Sequence, residues 1–324
     1  MTMVDCEAFA GHHCETTAAG TLLNQLGLRL SEPMLFGLGE GLGFIYWKMK
    51  SMEFPFIGGR VKPDVLTTNI ARNLGLNLIA RETASPEKAW EAVATLLAKG
   101  RVVGLKLDSF HLEYFAKPIH FAGHYVALYG YDATHAYLVD TIQQGSRVKT
   151  SLESLAAARI EPGPMASRNL YYVLLEGKYA ADVPQAARDA LKANAREYLN
   201  PAINNIGWKG IRKTAEELPK WFAASKDREK EFGTTAMLME RAGTGGALFR
   251  NLYRDFLGEC RGFVPGKSVV TAHAAFTEIA PLWTRVSELL AEAGTDRGEI
   301  AIGEACALLT DLADRERRAM GLLA

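Results

Sequence analysis

The sequence predicts an α+β fold followed by a helical domain, and three observations support this prediction. Helical patterns dominate the chain up to residue 100. Segments rich in β-branched and aromatic residues, separated by turns, then occupy residues 101–175 and favour an antiparallel sheet. From Val183 onward the apolar spacing is helical, and little resembles a strand. We therefore expect a first domain over residues 1–180 and an all-helical domain over residues 181–324.

The composition of the 324-residue chain is that of an ordinary globular protein, with 48% apolar and 23% charged residues. Lys plus Arg and Asp plus Glu number 37 each, so we expect neither a nucleic-acid partner nor an anionic membrane partner. The N-terminal residues lack the pattern of a signal peptide, and no apolar run approaches the ~20 residues that span a bilayer. The four cysteines show neither C-x-x-C spacing nor disulfide density, which indicates a cytoplasmic protein with free thiols.

The first predicted helix begins at or just before Cys14. Leu22, Leu23 and Leu26 share one face at helical spacing, and a glycine at position 27 predicts the end of the helix. Unpaired N–H groups and the helix dipole at such a position favour a thiolate over a thiol. Cys14 is therefore a candidate nucleophile. The alternative is a small buried apolar residue, the usual environment of a free cysteine.

The segment Gly37–Gly43 has a glycine at every second position, which argues against a regular helix and predicts a backbone that turns tightly or approaches another group closely. It is not a dinucleotide-binding motif, because no strand precedes it and the glycine spacing differs. Two interpretations stay open for this segment. It is either a loop packed against its own domain or a loop that lines a substrate channel.

The predicted sheet follows a helix with clear end signals. Ser85 caps that helix, Pro86 takes its first position, and Gly100 ends it. Short turns connect the strands after it, which favours antiparallel pairing. The predicted strands are 101–108, 124–132, 136–140 and 169–175.

Glycines at positions 243, 245 and 246 precede one of the helices predicted for the second half. A glycine-rich helix start leaves N–H groups that can hold an anion, and Arg250 lies one turn into the helix. Gly245 and Arg250 are thus candidate substrate-binding residues. In the alternative interpretation, the glycines only allow the helix to begin close to the other domain. One helix of the second half is predicted to begin at Pro184. The others are predicted to span about 210–221, 229–241, 246–261, 271–293 and 297–320.

A nucleophilic cysteine needs a base, and His124 has the most suitable position among the seven histidines. It begins one strand of the predicted hairpin and Asp140 ends the other, so we expect the two side chains to be neighbours. Asp140 can then fix the imidazole tautomer and leave the second ring nitrogen facing Cys14, as in papain-like enzymes. The alternative is a sheet histidine beside an aspartate that begins a turn.

The pair His120 and His124 could bind zinc if both lay on one helix. The residues from His124 onward instead predict a strand, and no third ligand is evident. We therefore expect no metal site.

Several motifs, in order along most of the chain, resemble the butirosin-biosynthesis protein H family. The second half, with Gly243–Gly246 and Phe249–Arg250, is similar to the helical domain of unassigned role that often follows the family's N-terminal domain. The motifs similar to that N-terminal domain are His13–Ala18, Leu30–Glu32, Phe36–Gly39, Asp108–Tyr114, His120–Phe121, Gly123–His124, Gly130–Asp132 and Val139–Thr141.

This resemblance implies a papain-like first domain and an acyltransferase, since the founding member moves an aminoacyl group from a carrier-protein thioester to an aminoglycoside amine. Cys14 is then the nucleophile, His124 the base and Asp140 the residue that orients it. The implied partners are an acyl carrier protein or CoA thioester as donor and a small amine as acceptor, with no cofactor. A cysteine peptidase or amidase with the same triad and a non-catalytic binding protein remain alternatives. We leave a homodimer open.

The sequence departs from the papain-like pattern at the oxyanion hole. Papain-like peptidases place a glutamine a few residues before the cysteine, and residues 6–10 contain none. The Cys14 N–H can supply one donor. His12, His13 and Thr16 are candidates for the second.

Three further residues within the family-like motifs are candidate substrate contacts. They are His13, Glu32 and Asp108, of which the two acidic residues are expected to line the amine side of the site. Capping of helices and loops is the alternative role for Glu32 and Asp108.

Overall fold

The computed structural model describes residues 1–50, 52–117, 119–163, 165–178 and 182–324. The chain separates into two compact units, each built from two segments. The first unit comprises Met1–Leu35 and Pro63–Ala181, and the second comprises Phe36–Lys62 and Asp182–Ala324. The predicted domain boundary between residues 180 and 181 lies outside the described residues and stays a prediction.

An antiparallel sheet with helices, followed by a helical C-terminal region, confirms the predicted α+β class. Within the described ranges there are nine strands and eleven α-helices. The strands are β1 (Thr2–Met3), β2 (Leu42–Trp47), β3 (Phe56–Arg60), β4 (Asn77–Arg81), β5 (Val103–Leu107), β6 (His124–Tyr131), β7 (His135–Val139), β8 (Arg147–Ser151) and β9 (Tyr171–Leu175). The helices are α1 (Cys14–Gln25), α2 (Glu32–Leu38), α3 (Val65–Asn73), α4 (Pro86–Ala98), α5 (Leu152–Ile160), α6 (Val183–Leu199), α7 (Gly207–Ala224), α8 (Arg228–Arg241), α9 (Arg250–Cys260), α10 (Lys267–Glu292) and α11 (Gly298–Gly321).

The sheet of the first unit runs in the order β4-β9-β5-β6-β7-β8, and β1 adds a short pairing to β6. Every pairing in it is antiparallel, as predicted. The four predicted strands correspond to β5, β6, β7 and β9. Strand β6 is the central element, since it pairs with both β5 and β7 and buries seven of its eight residues.

Helix α1 packs against β6 in the first unit, and all of Cys14–Leu23 is buried. The small residues of this segment permit that close packing. At Gly20, for example, an added Cβ would come within 2.5 Å of the Phe9 ring. The packing of α1 on the sheet places its N-terminal cysteine beside the strand that begins with His124.

The segment Gly37–Gly43 is not the irregular loop that its glycines predict. Gly37 belongs to α2 and Gly43 to β2, with only a short turn between them. The glycines are needed for close packing, because a Cβ on Gly37 would meet the Phe256 ring at 2.2 Å and one on Gly43 would meet the Arg60 backbone at 2.9 Å. Strands β2 and β3 form a separate hairpin in the second unit.

The helices of the second unit follow the predicted ranges, with one correction. The helix predicted for 246–261 is interrupted, since Ala247, Leu248 and Phe249 have φ values of 50°, 48° and 74° and form a 3-10 turn before α9. Among the helices of the described ranges, none combines the length and apolar character needed to cross a lipid bilayer.

Candidate functional site

Cys14 is the first residue of α1, and its side chain is almost completely buried, with 9% exposure. The chain enters the helix through His13, whose backbone is extended and whose carbonyl accepts hydrogen bonds from the Thr16 and Thr17 hydroxyls. The predicted helix start is therefore confirmed. The cysteine lies where helix N–H groups and the positive end of the dipole are concentrated.

The carboxylate of Glu32 holds the segment that leads into α1. It accepts hydrogen bonds from the His12 N–H at 2.9 and 3.0 Å, the His13 N–H at 2.8 Å and the Thr16 hydroxyl at 2.8 Å. Its side chain is thus engaged in capping, which is the alternative that the sequence left open for this residue. The expected amine contact of Glu32 finds no support in this geometry.

His124 and Asp140 meet as the predicted hairpin requires. His124 begins β6 opposite Leu107 of β5, and Asp140 directly follows β7. The His124 Nε2 atom lies 2.7 Å from Asp140 Oδ2, and the aspartate is fully buried. The second imidazole nitrogen, Nδ1, is then the one that can face the thiol.

The imidazole also contacts Cys14, so the three residues proposed from sequence come together. Burial disfavours the charged imidazole, but the charge and hydrogen bond of Asp140 and the contact with Cys14 outweigh it and raise the pKa of His124 to about 10. Asp140 therefore favours the charged imidazole, and a protonated ring can donate one N–H to the carboxylate while the other nitrogen faces the sulfur. This chain of groups can hold a thiolate and move a proton.

Tyr114 is a member of this cluster that the sequence analysis did not select. Its hydroxyl donates to Asp140 Oδ2 at 2.7 Å, and the Thr141 N–H donates to Oδ1 at 2.6 Å. Burial and the Asp140 charge raise the pKa of Tyr114 well above its usual range, so the hydroxyl remains a donor. The ring of Phe115 packs edge-on against His124, with centroids 5.2 Å apart. The family-like motif Asp108–Tyr114 was the signal that could have pointed to the tyrosine.

The Cys14 N–H is the first of the donors that the sequence suggests for an oxyanion. Among the hydrogen bonds of the described residues, none uses the Cys14 N–H as donor. Of the candidates for a second donor, the Thr16 hydroxyl already donates to Glu32 and to the His13 carbonyl. The backbone N–H groups of His12 and His13 also donate hydrogen bonds to the Glu32 carboxylate.

Asp108 shapes the loop that follows β5. Its Oδ1 atom accepts from the Phe110 N–H at 2.8 Å and the Phe121 N–H at 3.2 Å, and its Oδ2 atom lies 3.4 Å from His120 Nδ1. These contacts match loop capping, the alternative role left open for this residue. They leave the expected amine contact as a prediction without direct support.

Arg250 has a different role from the expected anion contact. Its guanidinium is fully buried, forms an ion pair with Glu316 at 2.8 Å, and donates to the carbonyl oxygens of Gly59 and Leu248. Gly245 lies in a left-handed turn, with φ of 66°, and its carbonyl accepts from Asn251. The expectation that Arg250 binds substrate is therefore corrected, because its donors are committed to the protein interior.

Comparison with known families places both halves of the chain. Residues 13–141 match the family described as butirosin biosynthesis protein H, N-terminal. Residues 153–323 match the domain of unknown function DUF4872 and make up more than half of the 324-residue chain. Among curated proteins, none matches this chain.

Proposed function

The chain belongs to the family in which a butirosin biosynthesis protein H N-terminal domain precedes DUF4872, and we propose that it is a cysteine-dependent acyltransferase. The family name supports a role in biosynthesis, here of a specialised metabolite. The observation that carries the proposal is the chain of contacts from Cys14 through His124 to Asp140. The proposed reaction moves an acyl or aminoacyl group from a carrier-protein or CoA thioester to a small amine.

A papain-like architecture for the first domain is part of the proposal. Two features of the first unit support it: a buried helix that begins with a cysteine, and an antiparallel sheet that supplies a histidine and an aspartate. Both partners of Cys14 come from the β6–β7 hairpin. The helix packs directly on β6, so the sulfur and the imidazole are held by rigid elements rather than by loops.

The acylation step follows from this geometry. His124 accepts the thiol proton of Cys14 as the sulfur attacks the thioester carbonyl carbon, which forms a tetrahedral oxyanion for which the Cys14 N–H is a donor. Collapse of this intermediate breaks the bond to the donor sulfur. The imidazolium gives its proton to that sulfur, so the products are acyl-Cys14, a free donor thiol and a neutral His124.

The second step transfers the acyl group to the amine. The amine nitrogen attacks the Cys14 thioester, and neutral His124 accepts the proton that the nitrogen loses. The carbon–sulfur bond then breaks and yields an amide, and the proton on His124 restores the starting state of the Cys14 and His124 pair. Asp140 holds the imidazole in one orientation through both steps and stabilises its charge.

A reducing compartment is consistent with this chemistry. All four cysteines are free, and Cys6, Cys14 and Cys260 are buried. Since a disulfide at Cys14 would abolish the nucleophile, we keep the cytoplasmic location as part of the proposal.

Intact-mass spectrometry with acyl and aminoacyl N-acetylcysteamine thioesters tests the nucleophile. We expect the full-length protein to gain one acyl mass, and peptide mapping should place it on Cys14. Cys14→Ala should gain none and unfold at the same temperature. Cys306→Ala is the matched control, because this half-exposed cysteine lies in the other unit and should leave the adduct unchanged. An adduct that persists on Cys14→Ala would refute the proposal.

Product analysis separates the proposed transferase from the two alternatives. With an amine acceptor present, we expect the amide to form at the expense of the free acid. A peptidase or amidase with the same triad would give the free acid with or without the amine. A binding protein that only retains the fold would give neither product, and its Cys14 would react slowly with iodoacetamide at neutral pH.

A further inference from the structure

A second cluster of chemically active side chains lies in the first unit, apart from the cysteine site. His111 and His120 belong to the connection between β5 and β6, and Glu161 directly follows α5. One ligand atom from each of the three lies within 4.8 Å of the other two. The proposed acyl transfer uses none of these groups.

The spacing of the three ligand atoms is close to that of a metal site. His111 Nε2 lies 2.7 Å from Glu161 Oε2, and His120 Nδ1 lies 3.9 Å from Glu161 Oε1. Ligands bound tetrahedrally at ~2.0–2.2 Å from a zinc ion are ~3.3–3.5 Å apart. The two distances involve different oxygens of the Glu161 carboxylate, and one ligand atom from each residue lies within 4.8 Å of the other two, so side-chain shifts of about 1 Å would bring three ligand atoms to that geometry.

The surroundings of His120 hold its ring in place. Its Nδ1 atom lies 3.4 Å from Asp108 Oδ2, and the Phe110 ring stacks on it with centroids 3.9 Å apart. Asp108 is buried, and its other oxygen is fixed by two backbone N–H groups. Because Asp108 Oδ2 approaches the same His120 nitrogen as Glu161 Oε1 does, this aspartate can serve as a fourth ligand.

We propose that His111, His120 and Glu161, supported by Asp108, form a binding site for a divalent transition-metal cation of the zinc type. Two imidazoles and a carboxylate form a set of ligands that binds such cations in preference to Mg²⁺ or Ca²⁺, which favour oxygen ligands. The side chains of His111, His120 and Glu161 are 23%, 54% and 27% exposed, so a cation can reach them from solvent. This site replaces the earlier expectation of no metal, which considered only the spacing of His120 and His124.

The position of the site gives the cation a structural role. It would join the connection between β5 and β6 to the end of α5, and the same connection carries Tyr114 and Phe115. These two residues contact Asp140 and His124, respectively. A bound cation would thus fix the segment that supports the cysteine site without touching the reacting atoms.

Metal stoichiometry of the untagged, metal-stripped full-length protein tests the proposal. We expect one equivalent of Zn²⁺ to remain after desalting, a rise in the unfolding temperature with added ZnCl₂, and a four-coordinate visible spectrum with Co²⁺. The Cys14→Ser background removes the thiolate, which could itself bind these cations. Retention of the equivalent in that background separates this site from the proposed nucleophile.

Single variants then assign the ligands. His111→Ala, His120→Ala and Glu161→Gln should each weaken Zn²⁺ binding by more than the ~10–100-fold that is typical when only an outer hydrogen-bond partner of a ligand is lost, and Asp108→Asn should do the same if Asp108 is the fourth ligand. His135→Ala is the matched control, since this histidine of the first unit contacts Thr134 instead. Glu161→Gln retains the carboxamide oxygen and is the variant to use if a histidine variant fails to fold.

Absence of stoichiometric Zn²⁺ in the Cys14→Ser protein would overturn the proposal. Equal affinity in Glu161→Gln, His120→Ala and His135→Ala would do the same. The cluster would then be a hydrogen-bonded His111–Glu161 pair beside a stacked histidine. Neither result bears on acyl-Cys14 formation, which is measured separately.

Discussion

The Tyr114 hydroxyl lies 2.7 Å from Asp140 Oδ2, the same oxygen that lies 2.7 Å from His124 Nε2. The Thr141 N–H donates a hydrogen bond to the other carboxylate oxygen, Asp140 Oδ1, at 2.6 Å. The aspartate therefore receives three donors in a fully buried position. These donors restrict the orientation of the carboxylate and so restrict the orientation of the imidazole.

Tyr114→Phe removes one of these donors while the ring is kept. We expect the rate of Cys14 acylation to fall by about tenfold, which corresponds to about 1.4 kcal/mol and is close to the lower end of the range for a hydrogen bond to a charged group. The remaining Asp140 charge is less neutralised, so the pKa of His124 should rise further. The measurement is the acylation rate as a function of pH.

Tyr137→Phe provides the control, because its hydroxyl also donates to an aspartate, Asp132, at 2.6 Å. It should leave both the rate and the pH profile unchanged. If Tyr114→Phe lowers only the unfolding temperature and leaves the pH profile as in the wild type, the tyrosine has no role in positioning the triad.

The raised pKa of His124 also predicts how stability depends on pH. The folded protein holds this proton up to about pH 10, whereas an unfolded histidine releases it near 6.5. Between these values the unfolded state binds fewer protons, so the free energy of unfolding should fall as pH rises. Urea unfolding of the wild-type protein at a series of pH values measures this dependence.

Asp140→Asn is the comparison for that experiment. It removes the charge that raises the pKa of His124, so the fall in unfolding free energy between about pH 6.5 and 10 should become much smaller. The same variant should slow acylation by roughly 10²–10⁴-fold, since the base loses the group that orients it and stabilises its charge. An equal pH slope in both proteins would contradict the assignment of the raised pKa to Asp140.

The contact between His124 and Asp140 could be predicted from sequence because it is local. The two residues are ends of one hairpin, and strand pairing brings hairpin ends together without information from the rest of the chain. Cys14 was predictable for the same reason, as its helix start depends on neighbouring residues. Tyr114 was not selected, because its motif Asp108–Tyr114 marks the segment but not the path of the connection that brings the hydroxyl to Asp140.

The glycine spacing in Gly37–Gly43 predicted a tight turn or a close approach of the backbone, which is confirmed, but it did not predict that Gly37 lies in a helix. Gly37 lies in helix α2, where a side chain would clash with the ring of Phe256. The two residues are more than two hundred positions apart in the sequence. Propensity alone predicts an irregular backbone there, and tertiary packing reverses that preference. Arg250 was predicted to bind an anion because the local sequence does not show its actual partner, Glu316, which is 66 residues away.

Glu32→Gln distinguishes helix capping from amine binding. The substitution removes the negative charge of the carboxylate that accepts hydrogen bonds from the His12 and His13 N–H groups and from the Thr16 hydroxyl. We expect the free energy of unfolding to fall by about 1–3 kcal/mol, because buried donors lose part of their acceptor. The KM for the amine should stay unchanged.

Glu7→Gln is the matched control for that substitution. Glu7 pairs with Arg29 on the surface, where both side chains are more than half exposed, so its loss should cost no more than about 1 kcal/mol. A raised KM for the amine in Glu32→Gln at wild-type stability would restore the expected role of Glu32 as a substrate contact.

The buried pair of Arg250 and Glu316 should contribute strongly to the stability of the second unit. The Glu316 carboxylate also accepts from Trp283 Nε1 at 2.5 Å and from the Tyr198 hydroxyl, and the Arg250 guanidinium lies 4.5 Å from the Trp283 ring centroid. Glu316→Ala leaves a buried guanidinium without its counter-ion. We expect the free energy of unfolding to fall by about 3–5 kcal/mol in urea titrations.

Asp314→Ala, two positions earlier on α11, is the control. Its ion pair with Arg212 is exposed on both sides, so it should change stability by about 1 kcal/mol or less. The double variant Arg250→Met with Glu316→Leu should recover much of the loss, because no buried charge is then left unpaired. If Glu316→Ala were no less stable than Asp314→Ala, the guanidinium would have to find another counter-ion, and the anion site expected from the glycines before α9 would become the better explanation.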